Sequence, residues 1–342
     1  MECLDSSAQA PSAVLPFVSV VVRSYLRPQA LLELVPRLLA LDYPSFEVLV
    51  CEQSNDPELV RRLEAFRDPR LRMIVRPPLG VSGAKNESIR HARGEILLFI
   101  DNDDLPVYKD WIQRHIRNYA DPLCQGVAGR LLDTPEEAEH PRLRKEVRRK
   151  VAHHTFWKDT TGYHWFAERK QGIDYLMGTN CSFRRSLCER IGGWDEGFVW
   201  GEEQSFAFKF ARAKRPDEYF VHDPEPAIHR RVDLPGGANR RWGPDWYRRE
   251  LSNRITYYHF SVGHYFPLRF WLLYPAYWIR IPYLMLEWIF DSDNRLKGWK
   301  ALILATLHTL VYFPYAMVKG AFSYRRLGIR RIPRLWPPTL TS

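Results

Sequence analysis

Apolar runs rich in β-branched residues alternate with segments of helical periodicity over the first hundred residues of the chain. The pattern predicts strands at 17–22, 46–51 and 71–75 and a fourth strand that ends at Asp101. It predicts helices at 29–41, 57–66 and 82–92, the second of them capped by Asp56. Strands that alternate with helices are typical of βαβ units, so we expect an α/β domain with a mostly parallel sheet.

The fourth strand ends abruptly in acidic residues. Five apolar residues at 96–100 are followed by Asp101, Asn102, Asp103 and Asp104. Such a run suits a strand buried on both faces, and ligands of open α/β sheets bind beyond the carboxyl ends of their strands. Carboxylates at that edge favour a hard divalent cation, Mg²⁺ or Mn²⁺, shared with substrate phosphates. Because Asp and Asn also favour turns, a solvated acidic turn is the alternative.

The chain changes character after residue 132. Residues 133–175 are charged, aromatic and irregular, which predicts an inserted loop region over the site and not sheet. A further helix is predicted at 203–214, and Glu202 and Glu203 stand at its start. Carboxylates at a helix N-terminus are stabilised by about 0.3 to 1 kcal/mol, so end-capping explains the pair. A general base beside a substrate is the functional alternative.

Length and charge bound the class of protein. The 342 residues suffice for two domains or one enlarged one, and the formal net charge is +10. Basic clusters at 142–150 and 325–334 favour an anionic partner. Charge alone does not distinguish nucleotide phosphates, anionic lipid and nucleic acid as that partner. A solvated basic face is the other interpretation. Five cysteines without a CxxC pair indicate no disulfide framework or thiolate metal site, so we expect a reducing compartment. Residues 1–16 are expected to be a loose leader and not a secretion signal.

Six segments, in this order, resemble the family 2 glycosyltransferases. They are 18–28, 46–56, Gly83-Ala84-Lys85-Asn86, Asp101-Asn102-Asp103, Gly192-Gly193-Trp194-Asp195-Glu196 and Glu202-Glu203. The resemblance covers about residues 17 to 232. It implies the GT-A fold, a Rossmann-like nucleotide-binding fold with a mostly parallel central sheet and helices on both faces. It also implies an inverting hexosyltransferase that uses a UDP-, GDP- or dTDP-linked sugar.

The resemblance assigns roles to individual residues. Those implied to contact the donor nucleotide are Ser24, Glu52, Lys85, Asn86 and Asp101. Those implied to bind or lie beside Mg²⁺ or Mn²⁺ are Asp103, Asp104 and His229, although a lone histidine is as often structural.

The acid pair would supply the general base. By resemblance Glu203 would take the proton of the acceptor hydroxyl, with Glu202 as the alternative. A base and a leaving diphosphate on opposite sides of the sugar carbon permit a single in-line displacement, hence inversion.

Several positions depart from the family pattern. Glu52 and Glu203 replace the usual aspartates, and Lys85 replaces the usual arginine and so loses bidentate geometry on phosphate. Ala238 occupies the glutamine position of the motif that precedes Arg-Trp in processive synthases, which favours addition of a single sugar.

The last ninety residues favour a membrane surface. Segments 266–290 and 299–318 approach the length of a membrane span. In the first, Arg269, Arg280 and Glu287 fall on one helical face, which favours a helix lying in the interface; the second could span, as part of a two-helix hairpin with both ends cytoplasmic. Packing against the catalytic domain or a partner is the third possibility.

These patterns predict three regions: a leader at 1–16, a GT-A domain at 17–250 and a helical membrane-association region at 251–342. We expect a peripheral or monotopic enzyme at the cytoplasmic face of the inner membrane, acting on a glycan or glycolipid acceptor. A sugar-1-phosphate nucleotidyltransferase is one alternative, but 24–28 lacks the Gly-rich loop it would need. An inactive basic membrane scaffold is another. Nucleic acid is not an expected partner, because no aromatic-interleaved basic motif is found.

Overall fold

The structure, a computed structural model, describes residues 15–132, 165–196 and 202–231. Within these ranges nine strands form one sheet: β1 (Val18–Ser24), β2 (Phe46–Glu52), β3 (Leu71–Val75), β4 (Ile96–Asp101), β5 (Asp104–Pro106), β6 (Cys124–Leu132), β7 (Lys170–Ile173), β8 (Cys181–Arg184) and β9 (Tyr219–Arg230). The helices there are α1 (Pro28–Leu39), α2 (Pro57–Glu64), α3 (Gly80–His91), α4 (Trp111–Ile116), α5 (Arg185–Ile191) and α6 (Glu202–Ala213), and a 3₁₀ turn covers Arg117–Ala120.

The predicted elements of the first hundred residues form in their predicted order. Each lies within two residues of its expected bounds. Asp56 caps α2 as expected, since its carboxylate accepts hydrogen bonds from the amides of Glu58 at 3.0 Å and Leu59 at 3.1 Å. Pro28 opens α1, where its missing N–H costs nothing. These signals are local, so they could be recognised from the sequence.

The sheet is mixed, and the prediction of a mostly parallel sheet is correct only for its first half. The strand order is β3-β2-β1-β4-β8-β6-β9-β5, with β7 paired to β9. The pairs among β1, β2, β3 and β4 are parallel, as is β6 with β9, whereas β8, β5 and β7 run antiparallel to their neighbours. An apolar run reveals burial but not direction, which is why the pattern missed this.

One strand lies where irregular structure was predicted. β7 falls inside the segment 133–175, of which residues 133–164 lie outside the described ranges. Two of its four residues are exposed, so it carries no apolar alternation. It forms because the edge of β9 offers unpaired backbone groups.

Helices cover both faces of the sheet, as expected. In β1, Val20 and Val22 pack on the face covered by α1, α2 and α4, while Val21 packs on the face covered by α3, α5 and α6. Successive side chains of a strand point to opposite faces, so one buried strand serves two cores. The same alternation makes β1 and β4 apolar through most of their length.

The helices of the described part of the chain are too short or too polar for a membrane crossing. Most of the leader, both basic clusters, Ala238, the boundary at 250 and the predicted membrane-association region lie outside the described residues.

Candidate active site

Three parallel strands bring predicted nucleotide contacts to one edge of the sheet. Ser24 is in register with Glu52, and Arg23 with Asp101, so the carboxyl ends of β1, β2 and β4 meet. Ser24 and Glu52 are both buried. Asn102 links the strands further, since its amide donates to the Ser24 hydroxyl at 3.4 Å.

Three aspartates cluster at the end of β4. Asp101, Asp103 and Asp104 each offer a carboxylate oxygen, and these oxygens lie within 4.8 Å of one another. Burial, and then the charges of Asp101 and Asp103, raise the pKa of Asp104 well above its ordinary value. Three hard oxygen donors fit the preference of Mg²⁺ or Mn²⁺, and a cation there would offset the repulsion.

Two arginines of the first turn neutralise part of this cluster. The Arg23 guanidinium donates to both oxygens of Asp101, at 2.9 and 3.0 Å, and Arg27 forms an ion pair with Asp103. Neither contact was predicted from the sequence. The signal for them was the presence of two arginines close to the end of β1, beside the predicted acidic end of β4. The two guanidinium groups reduce the net negative charge of the cluster and so help to keep its carboxylates together.

His229 lies close along the backbone but is not one of the gathered ligands. Its strand, β9, pairs with β5, where Asp104 faces Arg230 and Leu105 faces His229. The amide of Arg231 donates to the Asp103 carbonyl at 3.0 Å. Among the described residues the group that could hold a metal consists of the three aspartates. The role of His229 at the metal stays a prediction.

Glu203 is fixed at the start of α6. One carboxylate oxygen accepts from the Tyr175 hydroxyl at 2.6 Å and the other from the Gly178 amide at 2.5 Å. Burial and then the charge of Glu202 raise the pKa of Glu203, while the ammonium of Lys85 and these hydrogen bonds oppose the rise. The carboxylate is therefore oriented and more basic than an ordinary one, which suits proton abstraction.

Lys85 lies beside the acid pair. Its ammonium is 3.9 Å from a Glu202 oxygen and 5.0 Å from the centre of the Trp194 ring. A Cβ on Gly178 would stand 2.6 Å from that ammonium and 2.5 Å from a Glu203 oxygen, so any larger residue at 178 would displace the ends of these two side chains. The predicted contact of Lys85 with the nucleotide stays a prediction.

Asn86 is bonded to the protein's own backbone. Its amide donates to the Trp194 carbonyl at 2.8 Å and to Glu196 at 2.9 Å, and its oxygen accepts from the Trp194 amide at 2.9 Å. These bonds tie α3 to the 192–196 turn. Its predicted nucleotide contact, like that of Ser24, Glu52 and Asp101, is not tested by this geometry.

The aspartate cluster and the acid pair share neighbours. The Thr179 hydroxyl donates to Asp104 at 2.7 Å and accepts from the Asp101 amide at 3.0 Å, and the adjacent Gly178 binds Glu203. The two groups therefore border one site. Sequence reasoning missed Thr179 and Tyr175, and no local pattern marks them, because their partners are distant in the chain.

Comparisons with known proteins identify the family and the fold of the chain. The model of glycosyl transferase family 2 matches residues 19–192. The O-antigen biosynthesis protein RfbC of Myxococcus xanthus is 32% identical over 190 residues, which cover 54% of this chain and 15% of that protein. The chain thus spans only a small part of this relative.

Two solved structures share the fold. The mannosyltransferase PcManGT from Pyrobaculum calidifontis, in complex with GDP-Man and Mn²⁺, aligns with a TM-score of 0.50 at 20% identity, over 93% of this chain and 76% of that one. S. aureus TarS 1–349 in complex with UDP-GlcNAc aligns with a TM-score of 0.53 at 15% identity, over 92% of this chain and 89% of that one. The GT-A-like α/β fold is confirmed. With half of its length matched by the family model, the chain belongs to glycosyl transferase family 2.

Proposed function

We propose that the chain is a metal-dependent, inverting glycosyltransferase that moves a hexose from a nucleoside diphosphate sugar to an acceptor hydroxyl. The observation that carries this proposal is the shared site: three gathered aspartates and an oriented Glu203 are joined through Gly178 and Thr179. A leaving diphosphate needs the first group, and an alcohol that must lose its proton needs the second.

Asp101, Asp103 and Asp104 would hold Mg²⁺ or Mn²⁺. When bound, such a cation balances the charge of the diphosphate and of the leaving nucleotide. The fit rests on three carboxylate oxygens within 4.8 Å of one another. The complex of PcManGT with Mn²⁺ and GDP-Man, in a protein of the same fold, supports the same chemistry.

The nucleotide would lie over the carboxyl ends of β1 and β2. Glu52 is fully buried, and its Oε2 makes no hydrogen bond within the described part of the chain; the same holds for the Ser82 hydroxyl. Buried polar atoms are normally paired, and leaving one unpaired costs about 1 to 3 kcal/mol. Hydroxyl or N–H groups of a UDP-, GDP- or dTDP-linked sugar would satisfy them.

Glu203 would accept the proton of the incoming hydroxyl. Tyr175 and Gly178 each use one lone pair of its carboxylate, and the remaining lone pairs can receive the proton. Glu202 is the alternative base; it is also buried, and one of its oxygens lies 3.9 Å from the Lys85 ammonium. Displacement from the face opposite the diphosphate inverts the sugar carbon.

The acceptor would be a lipid-linked glycan precursor of a surface polysaccharide, at the cytoplasmic face of the inner membrane. The relative RfbC is an O-antigen biosynthesis protein, which supports the polysaccharide. The apolar, arginine-bearing sequence of 251–342 supports the membrane, and Ala238 supports addition of one sugar.

Ligand-dependent thermal stabilisation tests this function. UDP-, GDP- and dTDP-sugars are screened with and without MnCl₂. We expect one nucleotide to stabilise the protein only with metal, since a ligand at 100 times its Kd contributes about 2.7 kcal/mol. Asp103→Asn should lose the metal-dependent part.

Asp110→Asn is the matched control, because Asp110 also pairs with an arginine, Arg114 at 2.8 Å, but lies away from the cluster. It should respond to ligands as the wild type does. If a nucleotide sugar stabilises the wild type and Asp103→Asn equally without metal, the proposed metal dependence is refuted. No response to any nucleotide sugar would favour the non-catalytic scaffold.

A further inference from the structure

Residues 178–180, the Gly-Thr-Asn segment, contact both halves of the proposed site. The Gly178 amide holds one oxygen of Glu203 at 2.5 Å. The Thr179 hydroxyl holds Asp104 at 2.7 Å and receives the Asp101 amide at 3.0 Å. Thr179 is buried, so these bonds do not compete with bulk water. Two adjacent residues therefore fix two groups that have different tasks in the proposed reaction.

Asn180 anchors this segment to the fold. It is fully buried and has a left-handed backbone with φ of +48°, which asparagine tolerates better than most residues. Its side-chain oxygen accepts from the Trp111 indole at 2.9 Å and lies 3.1 Å from a ring nitrogen of His115. Its side-chain amide donates to the carbonyls of Arg130 at 2.8 Å and Pro226 at 3.0 Å. The segment is thereby bound to α4, β6 and β9.

Buried polar side chains in turn support Asn180. The second ring nitrogen of His115 lies 3.1 Å from the Ser182 hydroxyl, which accepts from the Tyr119 hydroxyl at 2.8 Å. Burial lowers the pKa of His115 to about 4, so the ring is neutral near pH 7 and can donate from one nitrogen and accept at the other. A fully satisfied network of this kind rigidifies its surroundings.

We propose that Thr179 and Gly178 are positioning residues of the transferase: Thr179 orients the metal-binding aspartates and Gly178 orients the base, on one segment held rigid by Asn180. The inference rests on the proposed function. It goes further in assigning two separable tasks to neighbouring residues, one that acts on metal affinity and one that acts on turnover.

The first test measures Mn²⁺ binding without nucleotide. The electron paramagnetic resonance signal of the free ion reports how much Mn²⁺ remains unbound. Thr179→Val keeps the shape and removes the hydroxyl. We expect its Mn²⁺ affinity to fall about 10- to 100-fold, as when an outer-shell partner of a metal ligand is lost. Thr179→Ser restores the hydroxyl and should bind within about threefold of the wild type.

Ser19→Ala is the matched control. The Ser19 hydroxyl also donates to a buried carboxylate, Glu47 at 2.7 Å, and also receives backbone amides, but it lies at the opposite end of β1. It should leave Mn²⁺ affinity unchanged. If Thr179→Val does not fold, Thr179→Ala replaces it with the same expected loss.

The second test is Gly178→Ala, whose Cβ would meet a Glu203 oxygen at 2.5 Å and the Lys85 ammonium at 2.6 Å. We expect kcat to fall about 10²-fold or more, with Mn²⁺ affinity unchanged, because the displaced groups are the base and the neighbouring Lys85, and not the aspartates. An equal effect of both variants on metal affinity and on kcat would overturn the division of tasks.

The outcomes separate this inference from the function on which it rests. A wild-type protein that binds no Mn²⁺, either alone or with UDP, GDP or dTDP present, contradicts the proposed metal dependence itself. If Thr179→Val binds Mn²⁺ as tightly as the wild type does, the proposed function stands and the role of Thr179 is refuted.

Discussion

Lys85 is a buried cation whose surroundings are poor in compensating contacts. Its ammonium makes no hydrogen bond within the described residues. It forms an ion pair with Glu202, whose carboxylate oxygen is 3.9 Å away. A buried charge is costly, so a cation kept here indicates an electrostatic task. Lys85 is one of the groups that hold down the pKa of Glu203, against burial and the charge of Glu202. It thus determines how readily the proposed base is deprotonated.

Lys85→Met should shift the pH dependence of catalysis. Without the ammonium, the pKa of Glu203 rises further, because burial and the charge of Glu202 still raise it and only the hydrogen bonds from Tyr175 and Gly178 still oppose them. A base acts only when deprotonated, so the acidic limb of kcat/KM should move to higher pH. The measurement is the pH profile of kcat/KM for variant and wild type.

Glu203→Gln is the reference for that profile. It should lose turnover by about 10² or more and retain donor binding. If Lys85→Met changes only the KM for the donor and leaves the acidic limb in place, Lys85 contacts the nucleotide, as the family resemblance implies.

At the scale of elements, the Asn86 side chain joins α3 to the 192–196 turn. The helix buries most of its polar residues, and buried polar groups are normally hydrogen-bonded. Asn86 exchanges two hydrogen bonds with the backbone of Trp194 and makes a third to Glu196. Trp194 in turn stacks on Phe206 of α6, with ring centres 4.3 Å apart. Asn86 therefore connects the nucleotide edge of the sheet with the helix that carries Glu203.

Asn86→Ala should destabilise the fold. It leaves the buried Trp194 amide and carbonyl without partners, and each such group costs about 1 to 3 kcal/mol, so we expect a loss of about 2 kcal/mol or more. Urea unfolding measures it. Glu196→Ala removes the third bond and the ion pair with Arg90 at 3.6 Å, both at a half-exposed side chain, and should cost less than about 1 kcal/mol. Equal stabilities of Asn86→Ala and wild type, with weaker nucleotide binding, would instead support the role implied by resemblance.

At the scale of the whole molecule, the site lies where the sheet changes direction. β4 pairs in parallel with β1 on one side and antiparallel with β8 on the other. The aspartates follow β4, and Gly178 and Thr179 precede β8, so the two halves of the sheet meet at the proposed cleft. The strand order also reverses next to the site, between β1 and β4, and ligands of α/β proteins bind at such switch points because neighbouring connections diverge there.

The proposed attachment to a membrane concerns the whole molecule. Its sequence basis, residues 251–342, lies outside the described residues. Removing residues 263–342 should release the protein from sedimenting membranes, since the apolar and arginine-bearing segments leave with them. Circular dichroism would verify that the shortened protein is folded. A folded, shortened protein that still sediments with membranes would contradict the proposal.

The sequence by itself determined the first four strands, the three helices between them, the cap at Asp56 and the acids after β4. Hydrophobic periodicity, helix caps and the residues that follow a strand all depend on residues close together in the chain, so they can be recognised from the sequence. The family that the six short segments resemble was confirmed by the family match over residues 19–192; the segments at 192–196 and 202–203 lie at or beyond the end of that match.

Only the tertiary structure decided the direction of β8, the existence of β7 and the pairing of Arg23 with Asp101. It also decided that Thr179 reaches Asp104 and that Asn86 binds Trp194. These side-chain contacts join residues about 75 or more positions apart, and each depends on strand order and side-chain packing. Residue types fix which groups can bond; the three-dimensional path of the chain fixes which of them meet.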